Sequence, residues 1–178
     1  MTLIRTLRTC LFALLLAPAA LLMPGQARAD LLVGAGFLNG LVGPNVEWAW
    51  RRTTAWVLPG AHIGSQGFQD DDLRWAIGMR RRMDGGTTVT SGFFSGLLAG
   101  DLGGEKSYER LGLGAELGHQ WVSNHLRLTV SGGMAVLQPL NCSDYRRSSQ
   151  CETAAARESH KLDAEPQLTL GVTLSLRR

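Results

Sequence analysis

The stretch Gln167-Leu-Thr-Leu-Gly-Val-Thr-Leu-Ser-Leu176 alternates without a break. Leu168, Leu170, Val172, Leu174 and Leu176 share one face; Gln167, Thr169, Gly171, Thr173 and Ser175 share the other. A period of two is the pattern of a strand with one apolar and one polar face. Such a strand spans about 30 Å at ~3.3 Å per residue. Tilted by ~45°, it is long enough to cross the hydrocarbon layer of a membrane.

Upstream of it the same period recurs between turn signals, and the abundant, scattered glycine disfavours long helices. Strands are predicted at about Leu31–Leu38, Asn45–Arg52, Ala55–Ser65, Leu73–Met83, Thr87–Leu98, Tyr108–Val122 and His125–Leu137, with the quoted stretch as the eighth. Pro59-Gly60 leaves the phase of the third strand open, and the Phe93-Phe94 and Leu97-Leu98 doublets leave that of the fifth open. The connections at Arg52–Thr54, Asp84–Gly86 and Ser123–Asn124 read as short, and those at Asn39–Asn45, Gln66–Asp72, Ala99–Ser107 and Gln138–Ala164 as longer. Short and long alternate, as in barrels with tight periplasmic turns and long outer loops. The expected architecture is all-β: an eight-stranded antiparallel up-and-down transmembrane β-barrel over residues 30–178.

The amino terminus carries Arg5 and Arg8, an apolar run from Leu11 to Met23, and Ala27-Arg28-Ala29. This is the pattern of a secretory signal peptide, residues 1–29, cleaved before Asp30. Arg5, Arg8 and Arg28 account for the formal net charge of +3. The remainder is then near neutral, which gives no basis for nucleic-acid binding. No apolar helix of ~20 residues remains after cleavage. Cys142 and Cys151, an even pair in an exported chain, read as a disulfide.

With the apolar faces outside, the lumen would be lined by Glu47, Arg51, Arg74, Arg80, Arg82, Arg110, Glu116, Gln120 and Arg127. Arginine forks bridging Glu47 and Glu116 would plug a barrel of this width with hydrogen-bonded ion pairs. Trp50, Trp56 and Trp121 are expected near the periplasmic rim and Trp75 near the outer one, as interface aromatics.

In this architecture the chain resembles the small outer-membrane barrel class typified by the OmpA transmembrane domain, OmpX and OmpW. Gly171-Val-Thr-Leu174-Ser-Leu176 resembles the carboxy-terminal targeting signal of that class, with Leu in place of the usual aromatic residue and a trailing Arg177-Arg178. The first expectation is a non-enzymatic role in envelope integrity or loop-mediated binding. Its partners would be outer-membrane lipid and lipopolysaccharide, with an extracellular ligand at the 138–164 loop.

Two other readings stand beside this one. A lipid A-modifying enzyme would need a nucleophile, a base and a group orienting the base. His62 with Ser65, and Ser159-His160 with Asp163, are the nearest approaches, and neither has the i, i+2 spacing that puts both groups on one strand face. A soluble periplasmic barrel carrying an apolar ligand would not place leucines on its outer face. No cofactor is expected, and Asp70-Asp71-Asp72 reads as a solubilising run rather than a metal site.

Overall fold

The computed structural model describes residues 29–64, 67–102, 111–141, 161–162 and 164–177. Eight antiparallel strands close into one barrel: β1 (Asp30–Leu38), β2 (Leu41–Trp50), β3 (Thr53–Gly64), β4 (Gly67–Arg82), β5 (Gly92–Asp101), β6 (Leu111–Val122), β7 (Leu126–Leu137) and β10 (Glu165–Arg177). Each strand pairs with its neighbour in sequence, and β1 pairs with β10 to complete the ring. A two-residue ribbon, β8 (Leu140–Asn141) with β9 (Lys161–Leu162), stands between β7 and β10. No helix occurs among the described residues. Followed once round the barrel, the ladders return to β1 about ten residues further on, a stagger that tilts strands by roughly 40°.

The period of two sorts the side chains. In β10, Leu168, Leu170, Val172, Leu174 and Leu176 are exposed on the outer wall, while Thr169, Thr173 and Ser175 are buried inside. β7 does the same with Leu126, Leu128 and Val130 outside and Arg127, Thr129 and Ser131 inside. The interior is divided along its length. The half nearest the start of β1 and the end of β10, here the terminal end, is polar. The far half holds an apolar cluster of Leu38, Leu41, Leu58, Ala76, Leu98, Leu102, Ala135 and Leu137, with Trp56 at its edge.

The connections differ from the expected alternation of short and long. Asn39–Gly40 joins β1 to β2 as a two-residue turn, with φ of 51° and 86°. Positive φ at both central positions suits the hairpin turn whose twist matches that of its strands, and Asn-Gly is its preferred dipeptide. The expected loop at 39–45 is therefore strand from Leu41 onward. Pro44 fits there because it lies opposite Pro59, where the β2–β3 ladder has no paired residues between Val42 and Val46. The expected loop at 66–72 is likewise strand: β4 begins at Gly67, and a register shift between Gly60 and His62 absorbs the extra residues of β4. Two further boundaries move. The β4–β5 connection runs over residues 83–91, far longer than an Asp84–Gly86 hairpin, and β5 extends to Asp101. Long connections thus occur at both ends, and loop length does not orient the barrel.

Candidate functional site: the interior polar network and the capped end

Two carboxylates organise the polar half. Glu47 comes from β2, whose odd-numbered residues face inward, and it is buried at 1% exposure. Arg127 Nη1 of β7 donates to Glu47 Oε2 at 3.0 Å. Ser175 Oγ donates to Glu47 Oε1 at 2.8 Å, Asn45 Nδ2 at 2.7 Å and Thr173 Oγ1 at 3.3 Å. Four neighbours from three strands thus satisfy one buried charge, as burial of an ion demands.

Glu116 of β6 organises the second group. Arg80 of β4 donates to it from Nε at 2.8 Å and from Nη2 at 3.3 Å, the two-pronged geometry that guanidinium favours. Trp56 Nε1 donates to the same Oε1 at 3.3 Å. The Arg80 guanidinium also lies 4.8 Å from the Trp56 ring centroid and 5.2 Å from that of Phe94, within cation–π reach of both. Both rings need room. Trp56 registers with Gly78 and Phe94 with Gly118, and a Cβ at either glycine would stand within 2.6 Å of the ring opposite.

A third ion pair, Arg74 Nε to Asp101 Oδ2 at 3.4 Å, is buried between β4 and β5 in the far half. Asp101 lies in the Gly-rich run 99–107, whose composition signals a loop, yet β5 extends to it and carries it inward.

The terminal end is capped from within. Arg82 bonds Asp84 and donates to the carbonyls of Thr90 and Ser91, so the 83–91 connection folds back over its own strand. Thr88, at its centre, is buried. Its N–H donates to the Arg51 carbonyl at 2.7 Å, and its carbonyl accepts from Arg127 Nη2 and from Gln120 Nε2. One segment therefore touches β6, β7 and the β2–β3 turn, and lies across the mouth of the barrel. The Arg82 guanidinium beside Asp84 holds that carboxyl below its ordinary range, aided by the Gly86 N–H.

Of the expected lumen residues, Glu47, Arg74, Arg80, Arg82, Glu116, Gln120 and Arg127 are buried. Arg51 is not among them. It occupies the β2–β3 turn with φ of 47° and an exposed side chain, because β2 ends one residue earlier at Trp50. Arg110 lies outside the described residues, as do Cys142, Cys151, Ser65, Ser159, His160, Asp163 and residues 1–28. Trp50, Trp75 and Trp121 have outward phases, Trp75 in mid-strand rather than near an end. Trp56 points the other way. The inward phase of Thr54, Trp56 and Leu58 buries it at 3% exposure, so it belongs to the interior network and not to the surface.

Outside, Phe93, His119 and Trp121 form an aromatic group on β5 and β6, with centroids 4.7 Å and 4.4 Å apart. Among the described residues no cluster of His, Cys, Asp and Glu is arranged to hold a metal. Among known proteins, no family model, no curated sequence and no solved structure matches this chain.

Proposed function

We propose that the chain is a non-enzymatic outer-membrane β-barrel of a Gram-negative bacterium, exported through a cleaved signal peptide. Its role is to stabilise the envelope or to present its 138–164 connection to a ligand. The observation that supports this reading is the outer wall. Leu113, Leu168 and Leu170 are 67%, 74% and 67% exposed, and every barrel strand except β2 contributes exposed large apolar side chains. Apolar surface of this extent on a closed barrel needs a lipid or protein covering. The polar groups are inside, where Glu47 and Glu116 gather the charges.

The filled interior weighs against a carrier of small apolar ligands. In the far half, Leu41, Leu58, Leu98 and Leu102 are at most 1% exposed, packed against one another where such a ligand would sit. The test is migration in a detergent gel with and without boiling, alongside cell fractionation. A membrane barrel stays folded and migrates anomalously until boiled. Recovery from the periplasm without detergent, with migration unchanged by heat, would overturn the reading.

A further inference from the structure

Most of the outer wall remains apolar as far as the terminal rim. Leu31 in β1, Leu126 in β7 and Leu176 in β10 are exposed leucines at or next to the strand ends. One sector departs from this. Trp50 registers with Thr53, Thr53 with Arg81, and Arg81 with Ser95. All four have outward phases, since Ala49, Thr54, Arg80, Arg82 and Phe94 beside them are buried inside. One row across β2 to β5 therefore carries an indole, two hydroxyls and a guanidinium.

Arg51 and Arg52 stand immediately beyond this row, exposed in the β2–β3 turn. The Arg52 carbonyl accepts from the Arg82 N–H at 2.8 Å, which fixes the turn against the end of β4 beside Arg81. None of Arg51, Arg52 and Arg81 has a carboxylate within salt-bridge distance among the described residues. The nearby acid, Asp84, is engaged by Arg82.

We infer that Arg51, Arg52 and Arg81, with Thr53 and Ser95, form a binding site for the phosphate of an anionic glycerophospholipid in the leaflet at the terminal end. The inference rests on the membrane reading above. An arginine on the lipid face costs about 2–4 kcal/mol at mid-membrane and little at the interface, so Arg81 marks the edge of the hydrocarbon layer. From that position an arginine can lay its apolar stem along the wall and reach the headgroups with its guanidinium. Hydroxyls on both sides of it supply further donors for phosphate oxygens. Trp50, in the same row but nearer the rim because the strands are tilted, suits the headgroup level. Each arginine at an anionic surface contributes about a fivefold gain in affinity.

The test is reconstitution of the full chain into phosphatidylcholine vesicles, alone and with phosphatidylglycerol. Protein released into mixed micelles is then examined by native mass spectrometry for retained lipid. The expected result is heat-shifted migration in both vesicles and retention of phosphatidylglycerol over phosphatidylcholine. That preference should fall roughly fivefold in Arg81→Gln, and further in the Arg51→Gln, Arg52→Gln, Arg81→Gln variant. Folded protein with no lipid preference, or with a preference unchanged in the variants, overturns the site and leaves the membrane reading intact. Stronger retention of lipid A than of phosphatidylglycerol, in a parallel lipid A arm, also overturns it. Failure to insert into either vesicle overturns both. If the triple variant does not fold, Arg81→Gln alone decides the matter.

Discussion

Arg127 and Glu47 are eighty positions apart in the chain and 3.0 Å apart across the lumen, joined as a buried ion pair. Arg127 reaches in a second direction as well, to the carbonyl of Thr88 in the connection that caps the barrel. A single guanidinium thus ties the lumen network to the segment across its mouth.

Removing one partner leaves the other buried and uncompensated. Glu47→Met is expected to destabilise the barrel by about 3–5 kcal/mol. Combining it with Arg127→Met removes both charges, but Asn45, Thr173 and Ser175 still lose their acceptor. The double variant is expected about 1–3 kcal/mol below the native chain. Urea titration of the two single variants and the double variant in vesicles, followed by gel shift, checks the order. A loss in the double variant equal to the sum of the two single losses would mean that the ion pair is not coupled.

Trp56 is expected to dominate the blue edge of the fluorescence spectrum, because it alone of the five tryptophans is fully buried. Trp56→Phe should remove the emission that acrylamide quenches least. It should also cost about 1–2 kcal/mol, since Glu116 loses a donor while the ring contact with Arg80 is kept in part. If the least quenched emission survives the substitution, the inward phase of β3 is wrong.

Asp84 links the cap to pH. Its carboxyl is held below the ordinary range by Arg82, so the contribution is present in full above about pH 4 and is lost as pH falls through the lowered value. Amide exchange at Thr87 to Ser91 is expected to quicken below about pH 4, and Asp84→Asn to flatten that dependence. Exchange independent of pH in the native chain, after correction for intrinsic rates, would contradict the link.

Leu117 tests the outer wall. Leu117→Arg places a charge at the middle of β6, on a side chain that is 61% exposed in the isolated chain. A lipid-facing position near mid-membrane should lose about 2–4 kcal/mol, read as a smaller heat-shifted fraction after folding into vesicles. A water-facing surface would tolerate the change, and an undiminished fraction would count against membrane embedding.

β7 and β10 were legible because they obey a strict period of two, and β4 because Arg74 and Arg80 alternate with Trp75, Ile77 and Met79. β5 was not. Phe93 faces out and Phe94 in, and Leu97 out and Leu98 in, so both faces are apolar wherever the interior cluster reaches. Where inside and outside share a polarity, alternation carries no signal. The same confusion hid Trp56, which packs at the edge of that cluster while bonding Glu116. Asp70 to Asp72 read as loop from their charge, yet the register shift in β4 accommodates them within a strand. The partners of Glu47 were partly legible: Arg127 from its inward phase, but not the donation from Asn45, which sequence placed at a turn.

The seam between β1 and β10 has a kinetic consequence. It joins Leu32 to Arg177 and Leu38 to Gly171, on the first and last strands of the barrel. Every other contact between barrel strands can form between neighbours in sequence, but the ring cannot shut until β10 has been made. Contact order is therefore concentrated in one final step, and open intermediates expose unpaired edges on β1 and β10. Such intermediates are the aggregation-prone species of the pathway, and holding them apart until closure is work for a chaperone.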